Sequence, residues 1–120
     1  MNAPRQYTIV GLGEVLWDIF PDGKQLGGAP ANFAAMVTAL GDRGVIASRV
    51  GEDALGEQAI NRWRERGVEV SFIQRDSRHG TGTVDVAIDD RGQPEFDITE
   101  DVAWDYLEWT PQWQQLAGAA

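Results

Sequence analysis

The chain has 120 residues, 19 acids against 10 bases, a formal net charge of −9 and no cysteine. That length holds one domain with a real core, and the missing cysteines exclude a disulfide framework, a thiolate metal site and a thiol nucleophile. The acidic balance argues against nucleic acid, whose phosphate backbone is gripped by Lys and Arg, and no run approaches the ~20 apolar residues of a membrane span. Neither nucleic acid nor membrane is therefore expected as a partner, and a cysteine-free chain suits the reducing cytoplasm. Met1 to Tyr7 is polar and leads into a strand, so no secretory leader is expected.

In chain order, Tyr7 to Gly13 reads as a buried strand, β-branched and stopped by glycines. Val15 to Phe20 is a second extended run, closed by the turn signature Pro21-Asp22-Gly23. A helix follows Gly27-Gly28: Pro30 suits its first turn, Phe33, Met36, Val37 and Leu40 recur at helical spacing, and Gly41 ends it. Val45 to Val50 is another core-type strand. Asp53 caps a helix with Leu55, Ala59, Ile60 and Trp63 on one face, and Gly67 closes it. Val68 to Ile73 is predicted as a third short strand. The alternation of strand and helix predicts an α/β fold on a mainly parallel sheet.

The pattern then changes. Thr83 to Asp89 alternates through Val84, Val86 and Ile88, Asp90-Arg91-Gly92 turns the chain, and Pro94 to Thr99 alternates again through Phe96 and Ile98. This predicts an antiparallel hairpin, either a lid or a plain extension of the sheet. From Asp85 to Glu108 there are nine acids and a single base, Arg91, which fits a solvated face. Thr110-Pro111 starts a last helix, and Trp104, Trp109 and Trp113 crowd this end, where packing is their expected duty.

Several chemistries fail on inspection. Gly11-Leu12-Gly13 follows a strand, but the third glycine of a dinucleotide fingerprint would fall at Leu16. No Walker A sequence is present. His79 is the only histidine, which removes histidine metal clusters, and it reads as a solvated loop residue. What survives runs from Glu14 to Asn32. Asp18 follows the first core strand and Asn32 lies in the first turn of the first helix, both at the end of the sheet where open α/β folds bind ligands. A carboxylate and a carboxamide suit vicinal hydroxyls of a polyol, and paired glycines let main chain approach it. The same residues also fit a plain turn with a self-capping helix, and spacing alone leaves both readings standing.

Gly27-Gly28-Ala29-Pro30-Ala31-Asn32-Phe33-Ala34-Ala35 resembles the first signature of the ribokinase-like (phosphofructokinase-B) family of carbohydrate kinases. Gly13-Glu14-Val15-Leu16-Trp17-Asp18 resembles that family's opening strand, and Gly51-Glu52-Asp53-Ala54-Leu55-Gly56 its Gly-x-Asp-x-x-Gly turn. Within the family the wording is similar to the bacterial fructokinase branch, through Leu16-Trp17-Asp18-Ile19-Phe20-Pro21 and Thr81-Gly82-Thr83-Val84.

The resemblance implies a three-layer α/β/α sandwich with a β-hairpin lid at about 83–99. It also implies an ATP-dependent sugar kinase using magnesium, with fructose or a similar sugar as acceptor, and it admits a homodimer through the lid. By position, Asp18, Gly27, Gly28 and Asn32 would bind the sugar and Phe96 or Ile98 would wall its carbon face. The glycine pair is followed by Ala29 where ribokinases carry lysine, which favours a hexose over ribose. The family's second signature, an Asp-Thr-x-Gly-Ala-Gly-Asp loop carrying the catalytic base and anion hole, does not occur in these residues. The expectation is therefore that residues 1–120 are the N-terminal, sugar-binding part of one kinase domain, with the nucleotide-binding half absent and no catalytic residue in this chain. The rival readings are a non-catalytic sugar-binding or regulatory module and a tryptophan-rich interaction fragment.

Overall fold

The computed structural model describes residues 6–120; the Met1–Arg5 stretch read above for a leader lies outside the described residues. The elements are β1 (Thr8–Leu12), β2 (Leu16–Phe20), β3 (Gly23–Gly27), α1 (Ala29–Ala39), β4 (Arg43–Gly51), α2 (Ala54–Glu65), β5 (Ile73–Asp76), β6 (Gly82–Ile88), β7 (Pro94–Ile98), a 3₁₀ turn (Ala103–Tyr106) and α3 (Pro111–Ala119). They form two sheets. The first is wholly parallel in the order β1-β4-β5, and the second is mixed in the order β3-β2-β6-β7, with β2 parallel to β6.

The parallel sheet is the middle of three layers. Ile46 and Val50 of β4 face α1 and α2, burying Ala31, Ala34, Ala59, Ile60 and Trp63 with them. Val45 and Ala47 point the other way and pack on Trp113 and Leu116 of α3. This is the predicted α/β/α sandwich, with β4 buried on both faces as its near-continuous apolar run requires. The mixed sheet projects from it, and the radius of gyration of 15.7 Å exceeds the roughly 13.6 Å of a compact chain this long.

Local signals explain most of the elements. Asp53 Oδ1 accepts from the Gly56 N–H at 2.8 Å and caps α2. Thr110 Oγ1 accepts from the Trp113 N–H at 3.1 Å and caps α3. Gly41 and Gly67 follow the ends of α1 and α2 with φ of 100° and 82°, the left-handed conformation that glycine takes without a steric penalty.

Three expectations are corrected. The segment before α1 is a strand, β3, which pairs antiparallel with β2, so the hairpin read at 83–99 is half of a four-stranded sheet. The third parallel strand is Ile73–Asp76 and not Val68–Ile73. Val68 instead fills the core, and Glu69 makes a single bridge to Val45 before the chain pairs with Ser48–Gly51.

The third correction is α1, whose buried residues are Ala31, Ala34 and Val37, while Phe33, Met36 and Leu40 of the apolar spacing are 53%, 62% and 79% exposed. The reason is closeness. A Cβ on Gly11 would lie 2.1 Å from the Pro30 carbonyl oxygen, and one on Gly44 2.1 Å from that of Ala34. A helix seated that deeply accepts only small side chains underneath.

Candidate functional site

Strand β2 carries Leu16 and Asp18 on one face and Trp17 on the other. Trp17 is fully buried and its indole N–H donates to the Leu55 carbonyl in α2 at 2.8 Å. Lys24 of β3 and Arg62 of α2 lie 5.2 Å and 5.7 Å from its ring centroid. This anchor ties the mixed sheet to the sandwich and fixes the strand from which Asp18 projects.

On the other face lies an open cleft of about 300 Å3, lined by Glu14, Leu16, Asp18, Gly28, Val84, Phe96 and Ile98. It brings together Asp18 at the middle of β2, the start of α1, and the hairpin wall. Gly28 is the helix N-cap at φ 112°, and a Cβ there would meet the Glu14 carbonyl oxygen at 2.4 Å, so the residue is glycine by necessity. Gly27 pairs with Leu16 across the ladder. Asn32 is exposed in the first turn of α1, its main-chain N–H donates to Gly28 O at 3.0 Å, and it does not line the cleft.

The electrostatics are one-sided. Among the described residues neither Glu14 nor Asp18 has an ion-pair or side-chain hydrogen-bond partner, and the lining includes no Lys, Arg or His. No side chain caps α1 and no acid occupies its first turn. Pro30 has no N–H and the Asn32 N–H donates to Gly28 O, which leaves the Ala29 and Ala31 N–H groups without side-chain partners at the helix end that Gly28 brings to the cleft. Free carboxylate acceptors, free amide donors and apolar walls from Val84, Phe96 and Ile98 suit a small molecule with both hydroxyl groups and a carbon face. Leu16 and Val84 were not singled out in the sequence. The available signal was strand parity, since Leu16 shares a face with Asp18.

The feet of the hairpin are fastened by a second polar cluster. Asp53, besides capping α2, accepts from the Thr81 N–H at 3.0 Å and from Thr81 Oγ1 at 2.6 Å. Burial pushes its carboxyl up, but the bonds from Thr81 and Gly56 outweigh this and hold it below the ordinary value. Asp76, 4% exposed, accepts from Arg49 Nε at 2.9 Å and from the main-chain N–H groups of Arg78 and His79. Desolvation again raises its carboxyl, and these bonds overcome it and leave Asp76 well below the usual carboxylate range.

His79 is not the free loop residue expected. Its Nδ1 lies 3.0 Å from Asp76 Oδ2 and its ring stacks on Tyr106 with centroids 3.7 Å apart. The Ala103 N–H donates to Gly80 O at 2.7 Å, so both strands of the hairpin return to one anchored base.

Among the described residues no group of three or more His, Asp or Glu side chains is arranged to hold a metal ion. The described residues do not fit a magnesium ion.

An α/β/α sandwich with a projecting β-sheet over an acidic, half-apolar cleft is the ribokinase-like architecture. The model of the pfkB family of carbohydrate kinases matches residues 14–118, and the chain belongs to that family. A fructokinase of Escherichia coli is 36% identical over 90 residues, covering 71% of this chain and 29% of the relative. A 5-dehydro-2-deoxygluconokinase of Clostridium perfringens is 31% identical over 86 residues, covering 62% and 25%. Among solved structures, the apo fructokinase of Vibrio cholerae superposes with a TM-score of 0.80 at 29% identity, covering 87% of this chain and 38% of that one. The same enzyme has been solved bound to fructose, ADP and a calcium ion, with a TM-score of 0.72. The chain spans about a quarter to a third of the length of the curated relatives it matches.

Proposed function

We propose that this chain is the sugar-binding part of an ATP-dependent sugar kinase whose acceptor is fructose or a similar hexose. The observation that carries the reading is the cleft in which Asp18 and the start of α1 face Phe96 and Ile98 of the hairpin. In this reading the Asp18 carboxylate accepts hydrogen bonds from two sugar hydroxyls. The N–H groups of Ala29 and Ala31, behind Gly27-Gly28, donate to ring or hydroxyl oxygens, while Asn32 stays outside the cleft lining.

The hairpin acts as a lid at about 83–99. Its apolar residues lie against the carbon face and displace water, which limits hydrolysis of the phosphoryl donor. ATP with magnesium supplies the phosphoryl group in such kinases. This chain's share is to bind, orient and desolvate the acceptor, and phosphoryl transfer depends chiefly on such positioning and on countering charge. Residues 1–120 by themselves are expected to bind sugar without turning it over. A homodimer through the lid would use the fully exposed strand β7.

The test has two arms. Ligand-observed NMR of the chain with fructose reads binding, and a coupled assay with ATP reads turnover. Binding that Asp18→Ala reduces at least about tenfold supports the reading, as loss of a charge-assisted hydrogen bond predicts. Binding indifferent to Asp18, or no binding, refutes it.

A further inference from the structure

The cleft contains more negative charge than one sugar-binding carboxylate requires. Glu14 lines it together with Asp18, at even spacing from Leu16 and Asp18, with its main-chain carbonyl held against Gly28. Both acids are without charged partners among the described residues. The partial positive charge at the start of α1, about half an elementary charge, offsets only a quarter of the two carboxylates.

No cation corrects the balance. Lys24 pairs in register with Ile19 and lies over Trp17, on the far face of the sheet. Arg91 is exposed at the turn beyond β6, and Asp85, Glu95 and Asp97 of the hairpin alternate with the cleft-facing Val84, Phe96 and Ile98 and so share the far face with Lys24.

We infer that Glu14 is a specificity-determining residue that makes this site select neutral sugars and reject sugar acids. This deepens the reading given under the proposed function and rests on it. A neutral ketohexose meets two carboxylate acceptors with hydroxyl donors. An aldonate of the same size brings a third carboxylate into a cleft whose two carboxylates have no cation to offset them, where like charges a few ångströms apart repel. A donor-poor, acid-rich wall thus works as an exclusion device, the repulsive half of specificity. The two acceptor classes differ chiefly in this one charge, so a single acid at the rim is enough to separate them.

The experiment titrates the 120-residue chain with fructose and, separately, with gluconate by saturation-transfer NMR. It is run at roughly 20 mM and 500 mM salt, which bracket strong and weak screening. The wild-type chain is expected to bind fructose at least about tenfold more tightly than gluconate at low salt. Glu14→Gln, checked for an unchanged circular-dichroism melt, is expected to narrow that ratio several-fold, and high salt to narrow it in the wild type without any substitution. Equal binding of the two ligands, or a ratio unmoved by both Glu14→Gln and salt, overturns the assignment while leaving the sugar-binding reading intact. Binding of neither ligand overturns both.

Discussion

A methyl group on Gly27 would stand 3.0 Å from Oδ2 of Asp18. The two residues lie on neighbouring strands, and the missing side chain of one is the space that the carboxylate of the other occupies. The same methyl would sit 3.0 Å from Leu16 Cδ1, so it has no free direction to relax.

Gly27→Ala is therefore expected to turn the Asp18 carboxylate away from the cleft without unfolding the chain, because Gly27 has no left-handed φ to lose. Fructose affinity should fall about tenfold or more, with the melting temperature within a few degrees of wild type. Titration and a thermal melt on the same sample check both halves. An unchanged affinity would separate Gly27 from the site.

Gly28 behaves differently. With φ at 112° and a carbonyl 2.4 Å from where a Cβ would go, Gly28→Ala strains the backbone and forces Glu14 away. The expected cost is about 2 kcal/mol or more in chemical denaturation, accompanied by loss of sugar binding. Stability and binding should fall together here and separately at Gly27.

Asp53 serves two elements at once, capping α2 and receiving two bonds from Thr81. Asp53→Ala should destabilise the chain by about 1–2 kcal/mol. It should also raise hydrogen exchange at Thr81 and Gly82, which a cap confined to its own helix would not do. Exchange that changes only within α2 would contradict the dual role.

Acid stability should depend on Asp76. Its carboxyl is lowered in the folded chain from an ordinary value of 3.8, so the unfolded state binds the proton more readily. The stability it contributes is fully present above about pH 4 and drains away as the pH falls toward and through the lower folded-state value. Asp76→Asn should melt lower than wild type at pH 7 and show a shallower decline between about pH 4 and pH 2. Parallel melting curves across that range would exclude the assignment.

Removing the indole N–H at Trp17 tests the link between the two sheets. Trp17→Phe keeps an aromatic ring but leaves the Leu55 carbonyl without this donor, a loss of about 1–3 kcal/mol. Urea denaturation followed by far-ultraviolet circular dichroism measures it, and a change below about 0.5 kcal/mol would show that the bond contributes little.

The layered fold was readable because its signals are local. Alternating apolar segments, Asp53 and Thr110 as caps, and Gly41 and Gly67 as stops each act within a few residues of their effect. Strand β3 was not readable, since Gly-Lys-Gln-Leu-Gly has weak strand propensity and is held extended by its pairing with β2. The outward face of α1 was misread for a related reason. Helical periodicity shows where apolar residues lie but not how near the sheet comes, and that distance is set by Gly11 and Gly44 on other strands. In the site, Asp18, Gly28 and Phe96 converge on one cleft, whereas Asn32 sits beyond it on the same helix. The roles of Asp76 and His79 were invisible because their partners, Arg49 and Tyr106, are 27 residues away on either side in sequence.

Gly11 and Gly44 also govern something at a distance. Each is filled by a main-chain carbonyl of α1, so the helix rests on the parallel sheet as a rod rests in two notches, with Gly28 at its tip. Padding either notch by a single carbon would lift the rod and swing its tip, widening or closing the cleft although neither glycine lines it. The aperture of the site is thus gauged by two hydrogen atoms in the floor of the sandwich.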